Sequence, residues 1–261
     1  QAAGVKWVTL VHPKGAALPA FTAGGHIEVT FSAPGFSEGL KRHYSLLNDP
    51  SETHRYVVGV GLHPSSRGGS RYVHDHLRAG ELLASTLPRN HFPLEESAEF
   101  TVLIAGGIGV TPLLSMATRL SSLGRKWRLY YCVRTPSRAA FLADLLALQG
   151  GEVIPVYDGR PGIRPLDLQQ VMDSCSPNDH LYCCGPVGLM NAFEAAGRVR
   201  SPSTLHVEWF EAPAVPETPA GDTQTALTVH LARSGRTVIV PAGRTILAEL
   251  EAAGVDVPHS L

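Results

Sequence analysis

Cysteine is scarce in this 261-residue chain: only Cys132, Cys175, Cys183 and Cys184 occur, and no two have CxxC spacing. The vicinal Cys183–Cys184 pair is poorly suited to a disulfide and no zinc-ligand spacing exists. The expectation is a reducing, cytoplasmic setting. No apolar run reaches the ~20 residues needed to span a bilayer, and no signal-peptide pattern opens the chain, whose first residue is Gln1. Lys and Arg (22) balance Asp and Glu (23) to a formal net charge of -1, so the basic excess of a nucleic-acid-binding protein is lacking. Neither the GxGxxG dinucleotide spacing nor a GxSxG hydrolase elbow is present. Charged residues are few (17%), yet the apolar fraction (44%) is that of a folded globular protein. The length suits two domains better than a single core.

The pattern along the chain changes twice. Residues 1–98 read as short strands, among them His26–Phe31, Arg42–Leu47 and Tyr56–Val60. Pro13, Pro34, Gly35, Asn48, Pro50, Gly68 and Gly69 punctuate them, and a short helix near Tyr72–Leu77 precedes Gly80. This predicts a small antiparallel β-barrel. From residue 99 to 210, apolar runs (Phe100–Ala105, Leu129–Val133, Val153–Tyr157, Leu181–Cys184, Leu205–Trp209) alternate with helical stretches (Leu113–Leu123, Ala139–Leu148, Leu166–Met172, Val187–Ala196). Continuous apolar strands alternating with helices predict a doubly wound parallel sheet covered on both faces. Residues 211–224 carry three prolines and no periodic apolar face, the composition of an extended linker. In residues 225–261, Leu227, Val229 and Leu231 alternate, Ser234–Gly235 turn, and Val238–Val240 pair back. Thr245 caps a helix over Ile246–Ala253, which Gly254 ends. A hairpin and one helix make half of a domain rather than a whole one.

The chemistry-bearing segments lie at turns. Ala105-Gly106-Gly107-Ile108-Gly109-Val110-Thr111-Pro112 runs from a buried strand into a helix, with Thr111 placed as N-cap and Pro112 as first helical residue. Glycine backbone N–H groups and the positive end of a helix suit a phosphate; a tight packing turn would need the same glycines. Tyr182-Cys183-Cys184-Gly185-Pro186 opens another helix at the same edge of the sheet. On the residues alone, Cys183 reads as a small buried hydrophobe, and Cys184 is open between that and a ligand-facing role. In the barrel, Arg42 and Tyr44 share one strand face and Ser45 takes the other; an arginine can fork onto a phosphate and a tyrosine can stack on a flat ring. Arg67-Gly68-Gly69-Ser70 is a second turn able to cradle a phosphate. His74 and His76 flank Asp75 at i and i+2, which do not share a helix face, so they do not read as a metal pair.

Taken in order, these motifs resemble the ferredoxin reductase superfamily, and within it the phthalate dioxygenase reductase group. The marks are Arg42-x-Tyr44-Ser45-Leu46 with Asn48-Asp49, then Gly68-Gly69-Ser70, then Ser85-x-Leu87-Pro88-Arg89-Asn90 with Phe92-Pro93-Leu94. Gly106–Pro112, Tyr182–Pro186 and His206-Val207-Glu208-Trp209-Phe210 complete them. The resemblance spans nearly the whole chain. It implies a flavin-binding barrel (1–98), an NAD(P)-binding domain (99–210) and a partial β-grasp domain of the plant-type [2Fe–2S] ferredoxin kind (225–261). It also implies that the N-terminus lacks an opening barrel strand. By this resemblance Arg42 contacts the flavin phosphate, with Gly68, Gly69 and Ser70 helping to hold it. Tyr44 packs on the flavin ring and Ser45 sits near its N5. Gly107, Gly109, Thr111 and Pro112 line the nicotinamide nucleotide site, Cys184, Gly185 and Pro186 lie near the nicotinamide, and Phe210 covers the flavin, with Glu208 a weaker candidate. The group implies FMN rather than FAD.

The function so implied is that of the reductase component of a multicomponent, Rieske-type oxygenase or demethylase. Two electrons pass from NAD(P)H to flavin, then singly through a [2Fe–2S] centre to the oxygenase, with the reductase a monomer. Val255–Ser260 resembles the stretch that precedes the first cluster cysteine, where this chain has Leu261 instead. With no cysteine in 225–261, the chain as given cannot bind the cluster. After the second α/β strand, Arg134-Thr135-Pro136-Ser137-Arg138 has no carboxylate for a free ribose; Arg134 and Arg138 either meet a 2′-phosphate or are solvated. The family implies NADH, with NADPH the alternative. Two rival functions stand beside this one: a cluster-free NAD(P)H–flavin reductase, and a non-catalytic flavin- or nucleotide-binding module.

Overall fold

The structure is a computed structural model and describes residues 2–32, 39–63, 66, 68–159, 162–210, 226–255 and 257. Pro34, Gly35, Arg67, the 211–224 linker, Asp256 and residues 258–261 lie outside the described residues. The chain divides into two compact units, residues 1–212 and 213–261.

The first unit opens with strands β1 (Val5–Leu10), β2 (His26–Phe31), β3 (Leu40–Ser45) and β4 (Tyr56–Gly61), helix α1 (Gly69–Asp75) and the short β5 (Ala84–Ser85). β2 pairs antiparallel with β3 and β5, β1 pairs antiparallel with β4, and a bridge between Leu46 and Val58 joins the two ladders. Strand alternation sends Ile27, Val29 and Phe31 inward to meet Leu40, Leu46, Tyr56, Val58 and Val60 in one apolar cluster. β1 was not among the expected strands. Its inward-facing side carries Lys6, which masks the alternation. The Lys6 ammonium is satisfied there by the carbonyls of Val73 (3.2 Å) and His74 (2.8 Å) at the end of α1. The α1 helix also starts earlier than Tyr72, because Gly68, at φ 96°, turns the chain directly into it.

The parallel half comprises β6 (Phe100–Gly106), α2 (Val110–Ser122), β7 (Lys126–Val133), α3 (Leu142–Ala147), β8 (Gly151–Tyr157), α4 (Leu168–Asp173), β9 (His180–Cys184), α5 (Val187–Gly197) and β10 (Leu205–Glu208). The strand order is β10-β9-β6-β7-β8 with every pairing parallel, so the chain reverses its direction of travel across the sheet between β6 and β9. In such a sheet the crevice beyond those two strand ends is where ligands bind. α2 is buried along nine of its thirteen residues and ends in a Schellman arrangement: Arg125 N–H bonds Leu120 O (2.9 Å), Gly124 N–H bonds Ser121 O (3.0 Å), and Gly124 takes φ 65°. Thr111 is not the N-cap as expected. A 3₁₀ turn over Gly107–Gly109 continues into α2, so Gly109 caps it and Thr111 donates instead to the Ile108 carbonyl at 3.0 Å. α3 is shorter than the expected 139–148 stretch, because a 3₁₀ turn at Pro136–Arg138 and a left-handed Phe141 precede it.

Barrel and sheet share a core. Ala23, Leu47, Val57 and Phe92 pack in the same cluster as Leu103, Leu113, Met116 and Tyr182. Asn48 is buried at this seam. Its side-chain oxygen accepts from Val57 N–H (2.9 Å), its amide donates to Arg55 O (3.2 Å), and its own carbonyl accepts from Ser115 Oγ of α2 (3.0 Å). The Arg119–Glu96 fork (2.7 and 2.8 Å) crosses the same seam but is partly exposed, so it adds only about 0–1 kcal/mol.

The second unit holds β11 (Leu227–Leu231), β12 (Arg236–Val240) and α6 (Ile246–Ala252). The hairpin pairs Leu227 with Val240 through Leu231 with Arg236, and Val238, Val240 and Leu250 are buried. Thr245 caps α6 by accepting from Ala248 N–H (3.2 Å), and Gly254 leaves it at φ 68°. Removing the hydroxyl in Ser115→Ala leaves a buried Asn48 carbonyl without its donor. It should lower unfolding free energy by about 1–2 kcal/mol; a denaturant midpoint equal to that of the unaltered chain would contradict this account of the seam.

Candidate active site at the seam of barrel and sheet

Two turns meet at the crevice between β6 and β9. A Cβ on Gly109 would overlap the Cys184 carbonyl, one on Gly106 would lie 2.5 Å from Pro186 Cδ, and one on Gly185 would lie 2.9 Å from Gly106 Cα. Packing between the two turns therefore accounts for these three glycines. Gly107 is different: it holds φ 53° and a Cβ there would meet nothing within 4 Å, so its surface faces open space. Thr111 and Pro112 are buried in the first turn of α2, and a Cβ on Gly59 of β4 would come within 2.8 Å of Thr111 Cγ2. Pro186 caps α5 from an exposed position.

The barrel brings β3 to the same crevice. Ser45 is buried, and its Oγ donates to Glu208 Oε2 of β10 at 3.3 Å. Glu208 is the register partner of Cys184. Burial pushes the Glu208 carboxyl up to about 7, partly offset by the Ser45 hydrogen bond. Burial, with the Glu208 carboxylate beside it, raises the Cys184 thiol well above its ordinary range, so it sits as a neutral S–H. Cys183 points to the other face of the sheet, among Val102, Ile104 and Phe193, as a small hydrophobe. Phe210 is 43% exposed.

On the opposite side of β3, the Arg42 side chain lies over the start of α1. A Cβ on Gly69 would be 2.6 Å from Arg42 Nε, so a side chain there would displace the Arg42 side chain. Ser70 Oγ donates to Ser66 Oγ at 2.9 Å and accepts from His63 N–H at 3.3 Å. Tyr44 packs edge-on against Phe31 (ring centroids 6.2 Å), and burial raises its phenol to about 12. Arg134 and Arg138 are exposed beyond the end of β7, with the Arg134 carbonyl accepting from Gly159 N–H at 3.0 Å. His74 Nε2 is 2.9 Å from the Val60 carbonyl. Among the described residues no group of three or more His, Cys, Asp or Glu is arranged to hold a metal ion, and no helix is long and apolar enough to cross a membrane.

Residues 103–195 match the family described as oxidoreductase NAD-binding domain. The chain is similar to the phenoxybenzoate dioxygenase subunit beta of Ectopseudomonas oleovorans, 46% identical over 243 residues, which is 93% of this chain and 72% of that one. It is 39% identical over 253 residues to the phthalate dioxygenase reductase of Burkholderia cepacia, covering 96% of this chain and 76% of that one. A solved phthalate dioxygenase reductase, titled as a modular structure for electron transfer from pyridine nucleotides to [2Fe–2S], matches with TM-score 0.75 and 38% identity, over 99% of this chain and 78% of that one. The chain belongs to the phthalate dioxygenase reductase family. It is an NAD(P)H-dependent electron-transfer oxidoreductase of the kind that serves as the reductase component of multicomponent oxygenases and demethylases.

In this reductase the structure brings Ser45, Cys184, Gly185 and the Gly106–Gly109 turn to one crevice, and keeps Arg42, Gly68, Gly69 and Ser70 together around α1. Glu208 was the underweighted residue: a carboxylate near a strand end looks like any solvated one. Its weight comes from the parallel pairing that sets it directly beside Cys184, which no spacing in the sequence shows.

Between pH 4.5, where the unfolded carboxyl titrates, and about 7, the folded protein keeps a proton on Glu208 that the unfolded chain has lost. Stability contributed by this group therefore falls as pH rises through that window. Glu208→Gln removes that dependence, so unfolding midpoints taken at about pH 5 and about pH 8 should drop less in the variant than in the parent. Equal drops in the two proteins would mean that Glu208 titrates normally.

Proposed function

We propose that Arg42, Gly68, Gly69 and Ser70 hold the phosphate of a flavin, with FMN as that flavin, while Tyr44 packs beside its ring and Ser45 faces its reacting edge. Gly107, Gly109, Thr111, Pro112, Cys184, Gly185 and Pro186 line the nicotinamide half of bound NADH, and Arg134 lies toward the adenosine ribose. Phe210, exposed at the end of β10, covers the flavin face and moves aside for the nicotinamide. The observation that carries this reading is the 3.3 Å contact of Ser45 with Glu208, which joins the barrel strand of Arg42 and Tyr44 to the sheet edge bearing both glycine turns.

The residues fit the groups assigned to them. The Arg42 side chain lies against Gly69 at the start of α1, beside Ser70, and a guanidinium so placed can fork onto a phosphate. Gly107 leaves backbone open to solvent at the mouth of a parallel sheet, where a pyrophosphate is favoured. Bound at this seam, a flavin supplies the conversion between a two-electron donor and a one-electron acceptor. The chain orients and excludes water. Ser45 Oγ would lie beside the flavin with its proton directed to Glu208 Oε2, and Glu208, whose carboxyl is raised to about 7, would be the group there that holds or releases a proton near neutral pH. Cys184, neutral and buried, shapes the floor of the nicotinamide site.

The electrons pass to an oxygenase component, as the named relatives' roles suggest, in a cytoplasmic and monomeric protein. All four cysteines lie before residue 185, so the residues present in the second unit do not fit an iron–sulfur cluster, and no step through one is assigned to them.

Arg42→Ala should weaken FMN binding by about tenfold or more, read by fluorescence titration, as loss of a charge-assisted phosphate contact implies. Unaltered affinity would remove Arg42 from the phosphate site, and tighter binding of FAD than FMN would overturn the choice of flavin. Steady-state kcat/KM should favour NADH over NADPH. The reverse preference would assign Arg134 and Arg138 to a 2′-phosphate.

A further inference from the structure

The phenol of Tyr131 joins two loops at the coenzyme edge of the sheet. Tyr131 stands on β7, wholly buried on the face that also carries Leu129 and Val133. Its hydroxyl is 3.0 Å from the carbonyl of Ala140 and 3.2 Å from the carbonyl of Gly107. A phenol has one proton to give, so the two carbonyls share it. Burial raises the phenol's pKa, which keeps it a donor throughout the physiological range.

Both carbonyls belong to left-handed turns. Gly107 itself holds φ 53°. Ala140 immediately precedes Phe141, which at φ 59° is the only non-glycine residue with positive φ among the described residues. A bulky side chain in that region is strained, and such strain persists where neighbouring contacts over-determine the backbone. Those contacts are visible. Ala140 is buried, the Phe141 ring lies where a Cβ on Gly59 would come within 3.1 Å of it, and the Trp7 ring is 6.3 Å away between centroids. The Gly106–Gly109 turn is already fixed on its other side by the close approach of Cys184 and Gly185. Tyr131 fixes it on the side of the 134–141 segment.

We infer that Tyr131 is a positioning residue for the nicotinamide dinucleotide: its hydroxyl sets the separation between the glycine turn and the Arg134–Phe141 segment, so that coenzyme meets a cleft already formed. The inference rests on the coenzyme reading proposed above, with the pyrophosphate at the glycine turn and the adenosine ribose toward Arg134. The hydroxyl is spent on two backbone carbonyls and does not reach the reacting atoms. Its loss therefore loosens binding rather than slowing the transfer that follows. A cleft that must be ordered by its ligand binds more weakly by the share of time it spends ordered.

The test is Tyr131→Phe in the flavin-loaded protein, a change that keeps the buried ring. The KM for NAD(P)H should rise by about 5- to 30-fold, the range that one buried hydrogen bond commands, with kcat within about twofold of the parent. Amide hydrogen exchange should quicken over residues 107–109 and 134–141 and not elsewhere. A parental KM, a fall in kcat with KM unmoved, or faster exchange across the whole first unit would each overturn the inference. If the parent protein's flavin is reduced by NAD(P)H while Tyr131→Phe keeps the parental KM, this inference alone fails. If neither nucleotide reduces the parent's flavin, the coenzyme reading fails and takes the inference with it.

Discussion

A single barrel strand held against the C-terminal edge of a parallel sheet is the constraint on which the site depends. β3 carries Arg42, Tyr44 and Ser45, and it reaches the crevice between β6 and β9 only because barrel and sheet share one core. Ala23, Leu47, Val57 and Phe92 enter the cluster built around α2, and Asn48 ties the segment after β3 to Ser115 of that helix. The buried Asn48 and Ser115 groups at this seam are hydrogen-bonded, so the arrangement has the stiffness of a protein interior rather than of a domain contact. Two-electron chemistry between stacked rings demands such stiffness, because small displacements of the reacting atoms are costly in rate.

The same burial that rigidifies the seam sets its electrostatics. The Glu208 carboxyl is raised to near neutrality, the Cys184 thiol stays protonated, and Tyr131 remains a donor. Nearby, His206 is lowered to about 4 by burial and by His180, whose ring stacks on it with an Nδ1 to Nε2 separation of 2.9 Å. Around the Ser45–Glu208 contact the buried Cys184 and His206 are uncharged at neutral pH and Glu208 is partly so, while the cationic Arg134 and Arg138 are exposed beyond the end of β7. That division is suited to a site that must take up a dinucleotide by its phosphates and leave the nicotinamide in a surrounding of low dielectric.

Much of this was legible in the residues. The five parallel strands were visible as continuous apolar runs, because a strand covered on both faces needs no polar alternation. The β11–β12 hairpin and the Thr245-capped α6 were visible because turn and cap chemistry is local. What escaped were features set by tertiary contact. β1 was hidden by Lys6, whose inward charge is compatible with a strand only because the end of α1 supplies two carbonyls. Thr111 has the chemistry of an N-cap, yet the 3₁₀ turn before it moves the helix start to Val110. The importance of Glu208 and Tyr131 depends on partners 163 and up to 24 residues away in sequence, and no local pattern announces such a pairing.

The most direct test of the account is an anaerobic titration of the flavin-loaded protein with NADH, followed in the visible flavin bands. The account predicts that the bands bleach promptly and that the bleaching saturates near one NADH per flavin, as expected when a nicotinamide lands at the Ser45–Glu208 crevice. A bound flavin that stays oxidised through excess NADH and NADPH, or a protein that binds none, would contradict it and leave the crevice a nucleotide-binding surface without the transfer.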